Sequence, residues 1–202
     1  MKLYYSPGAC SMSPHIVLHE AGLAHEAIAA PTKTHKLPDG TDYYTINPLG
    51  YVPFLVLDDG RTLREGPAIV QYLADQVPDK KLAPPAGSFE RYQLQEWLTF
   101  IGTELHKSFG PFFGGPANDE YKAVVKERLM SRLAFVDAQL AGKDYLMGAQ
   151  FTVADAYLFT VTSWPAYVGI DLSHLTNLTA YRARVAARPA VIATMKAEGL
   201  IQ

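Results

Sequence analysis

Between Pro78 and Ser88 the sequence changes character. Ahead of this stretch, short β-rich runs alternate with helical patterns; beyond it only helical patterns occur. The junction, Pro78-Asp79-Lys80-Lys81-Leu82-Ala83-Pro84-Pro85-Ala86-Gly87, is rich in proline, glycine and charge, as interdomain linkers are. A chain of 202 residues is long enough for two small domains with a core each. The pattern predicts an α/β domain over residues 1–78, a linker over 79–87 and an all-α domain over 88–202.

Within the first half, Lys2–Tyr5 reads as a strand stopped by Ser6-Pro7-Gly8. A helix follows, with Ser13 as its cap, Pro14 at its first position and Gly22 at its close. His25–Ala30 is a weaker strand, completing a βαβ unit. Val52–Leu57 and Thr62–Arg64 flank Asp58-Asp59-Gly60-Arg61, which predicts a hairpin closed by a type I′ turn, because Asp-Gly tolerates positive φ. A last helix opens at Gly66-Pro67 and carries Ile69, Val70, Leu73 and Val77 at helical spacing. The order is βαβ, a connection, then ββα.

The second half holds two long apolar stripes, Leu94, Trp97, Leu98, Ile101 and Leu105, then Val125, Leu129, Leu133, Val136 and Leu140. Gly110-Pro111 and Gly114-Gly115-Pro116 separate them. Phe151-Thr152-Val153-Ala154-Asp155 reads as a capping box, with Thr152 as cap and Asp155 three residues on. Helices over about 178–187 and 189–198 close the chain.

Eighteen Lys plus Arg against 20 Asp plus Glu give a net charge of −2, which offers no broad basic field for nucleic acid or anionic lipid. The longest charge-free apolar stretch, Ala156–Ile170, falls short of the ~20 residues that span a bilayer. The N-terminus carries no secretory pattern. One cysteine excludes an internal disulfide and a cysteine-rich zinc site, and favours a reducing compartment. The expectation is a cytoplasmic protein with no nucleic-acid or membrane partner.

That cysteine, Cys10, is the most informative residue. Burial as a small hydrophobe is the commonest fate of a lone cysteine. Cys10, however, follows a strand and a Pro-Gly turn and stands where a helix begins, where unpaired amides and the dipole favour a thiolate. Ser13, three residues on, excludes a dithiol mechanism. Val52-Pro53 enters a strand that otherwise looks buried. Proline belongs at a strand start, and only ~5–6% of such bonds are cis. Glu65-Gly66-Pro67 puts a carboxylate and a free amide at a helix start, which suits either a dipole contact or a ligand carrying both charges. Glu104 and His106 close an apolar helix, as a solvated end or as hydrogen-bonding groups near neutral pH. His15 and His19, four apart on a helix, have chelating spacing, but no third ligand is indicated and no metal site is expected. Phe109, Phe112 and Phe113 sit in a Gly/Pro loop that is suited to lining an apolar pocket.

Together these pieces resemble the glutathione transferases, and the wording resembles the bacterial beta class. The matching segments are Tyr4-Tyr5-Ser6-Pro7-Gly8-Ala9-Cys10-Ser11, Asn47-Pro48-Leu49-Gly50-Tyr51-Val52-Pro53, Glu65-Gly66-Pro67-Ala68-Ile69 and Phe151–Tyr157. The resemblance implies a thioredoxin-like domain (βαβ–ββα) that binds glutathione, followed by an all-α domain that forms much of the electrophile pocket. It also implies a homodimer and the conjugation of glutathione, a co-substrate with no further cofactor, to small hydrophobic electrophiles in detoxification.

Carried over residue by residue, Cys10 faces the glutathione sulfur and can form a mixed disulfide. Val52 pairs with the cysteinyl backbone through a cis Pro53, and Glu65 and Gly66 hold the γ-glutamyl end. Thr103, Glu104 and His106 match glutathione-contacting positions, with Cys10 and His106 the catalytic pair. His35 stands where the class usually has lysine, and Thr99 where it often has asparagine. With an ordinary imidazole pKa of ~6.5, His35 predicts binding that weakens between about pH 6 and 8. Two other readings are a thiol reductase or dehalogenase working through Cys10, and a non-catalytic ligand carrier on the same fold.

Overall fold

The computed structural model describes residues 1–114 and 117–202, so the Gly115-Pro116 part of the expected interhelical loop lies outside the described residues. The chain forms two compact units, Met1–Ala83 with Ala187–Gln202, and Pro84–Ala186. The division falls inside the Pro/Gly-rich stretch. The C-terminal segment 187–202, expected in the helical domain, instead belongs to the first unit. The cause is specific packing. Helix α7 (Pro189–Ala197) lies against α1 (Met12–Ala21) and buries Val191 and Thr194. Arg188 grips the Glu20 carboxylate at 2.6 and 2.9 Å. An apolar stripe says that a helix packs, but does not say against what.

The first unit holds a four-stranded sheet in the order β2-β1-β3-β4, made of β1 (Lys2–Tyr5), β2 (Glu26–Ala29), β3 (Phe54–Val56) and β4 (Thr62–Arg64). Strands β1 and β2 run parallel across α1, and β3 and β4 join antiparallel, with Tyr4 opposite Phe54 and Phe54 opposite Arg64. Leu3, Ile16, Val17, Leu55, Ile69 and Leu73 are fully buried between the sheet and the helices α1 and α2 (Gly66–Asp75).

Two local expectations change here. The hairpin turn is not type I′, because only Gly60 takes positive φ (+85°) while the Gly60 N–H bonds the Leu57 carbonyl. The turn is a three-residue loop in which one glycine supplies the left-handed step. Ser13 does not cap α1. The helix starts at Met12 after Ser11, whose hydroxyl instead ties the preceding loop by bonding both the N–H and the carbonyl of Ser6. Gly22 closes the helix in the left-handed conformation, as expected.

The second unit is helical: α3 (Phe89–Phe100), α4 (Asp119–Leu140), α5 (Val153–Ser163) and α6 (Thr176–Ala186). Helix α3 does not run on to Leu105. It widens into a π-turn over Ile101–Leu105 and then tightens into a 3₁₀ stretch over His106–Phe112 that contains Pro111. Helix α5 is buried along nearly its whole length, which explains the long charge-free stretch without a membrane. The hydroxyls of Thr160, Thr162 and Ser163 donate to the carbonyls of Ala156, Leu158 and Thr160, so none is orphaned in the core. At its start, the buried Asp155 carboxylate accepts from the Leu146 and Thr152 amides and from the Thr152 and Tyr181 hydroxyls. Burial outweighs these bonds and pushes Asp155 up to about 6.

Candidate functional site

The predicted site residues fall into two groups, one in each unit. In the first unit, the loop from Ser6 to Ser11 delivers Cys10 to the end of the sheet. Besides the Ser11 clamp, the Gly8 N–H donates to Glu198 Oε2 at 2.8 Å, so a carboxylate from just past α7 anchors the loop. Cys10 Sγ–H donates to the Val52 carbonyl at 3.2 Å. A carbonyl oxygen accepts only from a thiol that keeps its hydrogen. At the helix start the Met12 and Ser13 N–H groups bond the carbonyls of Ala9 and Cys10.

The Val52-Pro53 bond is cis. The preceding Tyr51 carbonyl is held by the Tyr43 hydroxyl and the Asn47 amide, each at 2.8 Å, and Arg64 Nε bonds Asn47 Oδ1. Burial pushes the Tyr43 phenol up to about 12. This rigid frame leaves the Val52 N–H without an acceptor among the described residues.

Register brings the next pair alongside. With Phe54 opposite Arg64, Pro53 and Gly66 lie just beyond the paired strands, and a Cβ built on Gly66 would be 3.9 Å from Pro53 Cγ. Glu65 adopts φ +67°, a region that non-glycine residues rarely occupy and that costs ~1–3 kcal/mol. Its carbonyl accepts from Ala68 and Ile69 at the start of α2, while its exposed carboxylate has no partner among the described residues. Cys10, Val52, Pro53, Glu65 and Gly66 therefore form one contiguous set. His35 stands apart from it. It takes φ +51°, packs on Tyr44 at 4.5 Å between centroids and covers Gly50, with a buried Nδ1 that has no partner.

In the second unit Thr99, Thr103, Glu104 and His106 lie along one helical run. Thr103 Oγ1 donates back to the Thr99 carbonyl at 3.0 Å. The Glu104 carboxylate is gripped by Arg128 at 3.0 and 2.8 Å and by Arg132 at 2.8 Å, and these bonds hold it below the usual carboxylate range. The His106 Nδ1 lies 2.6 Å from the Tyr157 hydroxyl, which leaves Nε2 as the ring atom able to serve a ligand. Burial, reinforced by the adjacent Lys107 charge, lowers His106 to about 4, so it is neutral near pH 7. Trp164 stands edge-on to His106 at 4.9 Å and contacts Phe109 and Phe113, giving the imidazole an aromatic wall.

Sequence reasoning missed three participants. Glu198, buried beside His15, carries no local motif. Tyr157 is indistinguishable in sequence from a core aromatic. His25, outside the helix that carries His15 and His19, is the third histidine beside that pair.

Residues 8–76 match the model for the glutathione S-transferase N-terminal domain, and residues 100–189 match that for the C-terminal domain. The chain is 46% identical to the glutathione S-transferase GstA of Escherichia coli O157:H7 over 99% of its length and 100% of that protein's. Among solved structures, the ternary complex of BphK, a bacterial GST, superposes with a TM-score of 0.96 at 58% identity, covering 98% of this chain and 100% of that one. A bacterial beta class glutathione S-transferase of Sphingomonas chungbukensis gives 0.95 at 49% identity, with both chains fully covered.

Proposed function

The chain belongs to the glutathione S-transferase family, and from that membership we propose that it joins the sulfur of reduced glutathione to electrophilic carbon in small apolar compounds. In the reaction a C–S bond forms, the leaving group departs with its electron pair, and the thiol proton passes to solvent. A free thiol of pKa ~8.5 is only a few per cent ionised at neutral pH, so the site must favour the thiolate and hold it against its target.

One observation carries the reading: the open polar groups of the first unit match the two ends of a short peptide. The Glu65 carboxylate takes the γ-glutamyl ammonium and the Gly66 N–H takes its carboxylate. The Val52 N–H and carbonyl take the cysteinyl backbone, the carbonyl having a second lone pair beside the one that Cys10 uses. His35, whose Nδ1 is buried over Gly50, offers the ligand its other ring nitrogen, Nε2. Cys10 faces the ligand sulfur. His106, neutral and oriented by Tyr157, supplies Nε2 as the polar partner of that thiol. Thr99 and Thr103 offer further contacts, and Glu104 acts mainly by fixing the π-turn to the two α4 arginines. The Trp164, Phe109 and Phe113 wall favours apolar electrophiles and has few hydrogen bonds with which to reject analogues.

The working unit is a homodimer. Phe89 and Tyr92 on α3, and Tyr121 and Val124 on α4, are more than half exposed and suit burial by a second copy. No helix among the described residues is long and apolar enough to cross a membrane, and a single thiol at the site suits the reducing cytoplasm.

The test is conjugation of glutathione to a small aryl halide by the native protein and by Cys10→Ala. Turnover by both assigns the nucleophile to glutathione's own sulfur. Loss only in the variant, with glutathione still bound, makes Cys10 a direct participant. No turnover by the native protein overturns the reading.

A further inference from the structure

His15 and His19 on α1 and His25, just ahead of β2, bring their rings together, with centroids 5.2, 5.5 and 5.1 Å apart. One nitrogen from each ring lies within 4.8 Å of the other two. Hydrogen bonding decides which nitrogens are available. His25 Nδ1 is 2.9 Å from the Leu23 carbonyl, which can only accept, so Nδ1 carries the proton. His15 Nδ1 is 2.9 Å from Glu198 Oε1, while the other oxygen of that carboxylate accepts from Gly8 N–H, so here too Nδ1 donates. A neutral imidazole that donates through Nδ1 keeps the lone pair on Nε2. His19 Nε2 is buried and has no partner, an arrangement that proteins rarely leave unexplained.

We propose that His15, His19 and His25 form a three-imidazole site for a divalent transition-metal ion of the Zn²⁺ type, separate from the glutathione residues. Imidazole nitrogens suit such ions, and Zn²⁺ accepts three protein ligands with a fourth position left to solvent. Zn–N bonds of ~2.0–2.1 Å place tetrahedral nitrogens ~3.3 Å apart. Small ring rotations of the half-buried His19 and His25 close the remaining gap. The Nδ1 contacts to Glu198 and Leu23 are of the kind that fix the tautomer and orientation of metal-bound histidines. Bound there, the ion staples α1 to the start of β2. Through Glu198 it also braces α7 and the Gly8 loop that carries Cys10.

The metal-free full-length protein is titrated with ZnCl₂ by calorimetry and with CoCl₂ by visible absorption. One ion per chain is expected, with the bands of four-coordinate cobalt and a thermal midpoint that rises with Zn²⁺ concentration. Removing a ligand in His19→Ala or His25→Ala should weaken binding more than ~100-fold, and Glu198→Gln by ~10–100-fold. His174→Ala, at an exposed position, should leave binding unchanged. If a variant fails to fold, imidazole ¹⁵N shifts of the native protein give the same answer, with Zn²⁺ moving the Nε2 signals of these three rings. Absence of stoichiometric binding, binding that survives both alanine variants, or shifts confined to other histidines overturns the site.

Discussion

The candidate residues of the two units present their polar groups in opposite ways. In the first unit the groups at the end of the sheet are open: the Glu65 carboxylate and the Gly66 and Val52 amides meet no protein partner among the described residues. In the second unit the corresponding groups are engaged, Glu104 by Arg128 and Arg132, His106 by Tyr157, and Thr103 by the Thr99 carbonyl. Open groups held on a rigid frame are available to a ligand. Engaged groups fix the fold around them. Removing an engaged buried group should therefore damage the fold, whereas removing an open one should damage binding alone.

The largest effect is expected at the most heavily engaged group. Asp155→Ala leaves the Leu146 and Thr152 amides without their acceptor, while the Tyr181 hydroxyl keeps the Asp155 backbone carbonyl, and should cost about 3–5 kcal/mol in denaturant unfolding. Next comes His106. Held at about 4 against ~6.5 in the unfolded chain, it is protonated first in the unfolded state. Its contribution, about 3 kcal/mol, is complete above pH 6.5 and is lost as pH falls towards 4. The native protein should therefore lose more stability over that range than His106→Asn does. The difference between the two is the proper measure, because Asp155, raised to about 6, titrates over the same interval with the opposite sign in both proteins.

The open groups should behave differently. Glu65→Gln should raise the glutathione dissociation constant roughly 10–100-fold, the scale of one charged hydrogen bond, with no loss of unfolding free energy. Glu65→Gly removes the side chain from a positive φ and should stabilise the fold by about 1 kcal/mol while losing the same affinity. Equal dissociation constants for native protein and Glu65→Gln would end the assignment of the γ-glutamyl contact. The smallest effect is expected from Glu104→Gln, whose partners Arg128 and Arg132 are solvent-accessible and screened, so that its loss should move the thermal midpoint only slightly.

Local chemistry made much of this legible in advance. Hydrophobic periodicity, Gly22, Gly60 and the Thr152–Asp155 box identify the strands, the hairpin and the buried helix, because each depends on residues a few positions apart. Cys10, Val52-Pro53 and Glu65-Gly66 were visible as polar or proline-bearing breaks at element ends. Their meeting was not, because it rests on strand register. The type I′ turn was misread because Asp59 stays out of the left-handed region and leaves one glycine to make the turn. The Ser13 cap was misread because the helix begins earlier, at Met12, leaving Ser11 as the residue ahead of it with its hydroxyl turned to Ser6.

By itself, the sequence determined most of the strands and helices, a division within the Pro/Gly-rich stretch that holds Ala83, and the polar and proline-bearing breaks at Cys10, Val52-Pro53 and Glu65-Gly66. Propensity, capping and turn chemistry are local and are written within a few residues. Tertiary structure alone decided that α7 belongs with the first unit, that Glu198 anchors both Gly8 and His15, that His25 joins His15 and His19, and that Glu104 is engaged while Glu65 is open. Each of these depends on which surfaces meet after folding. The pairing energy of a carboxylate or an imidazole is set by its neighbours in space, and residues 183 positions apart, such as His15 and Glu198, carry no local trace of one another.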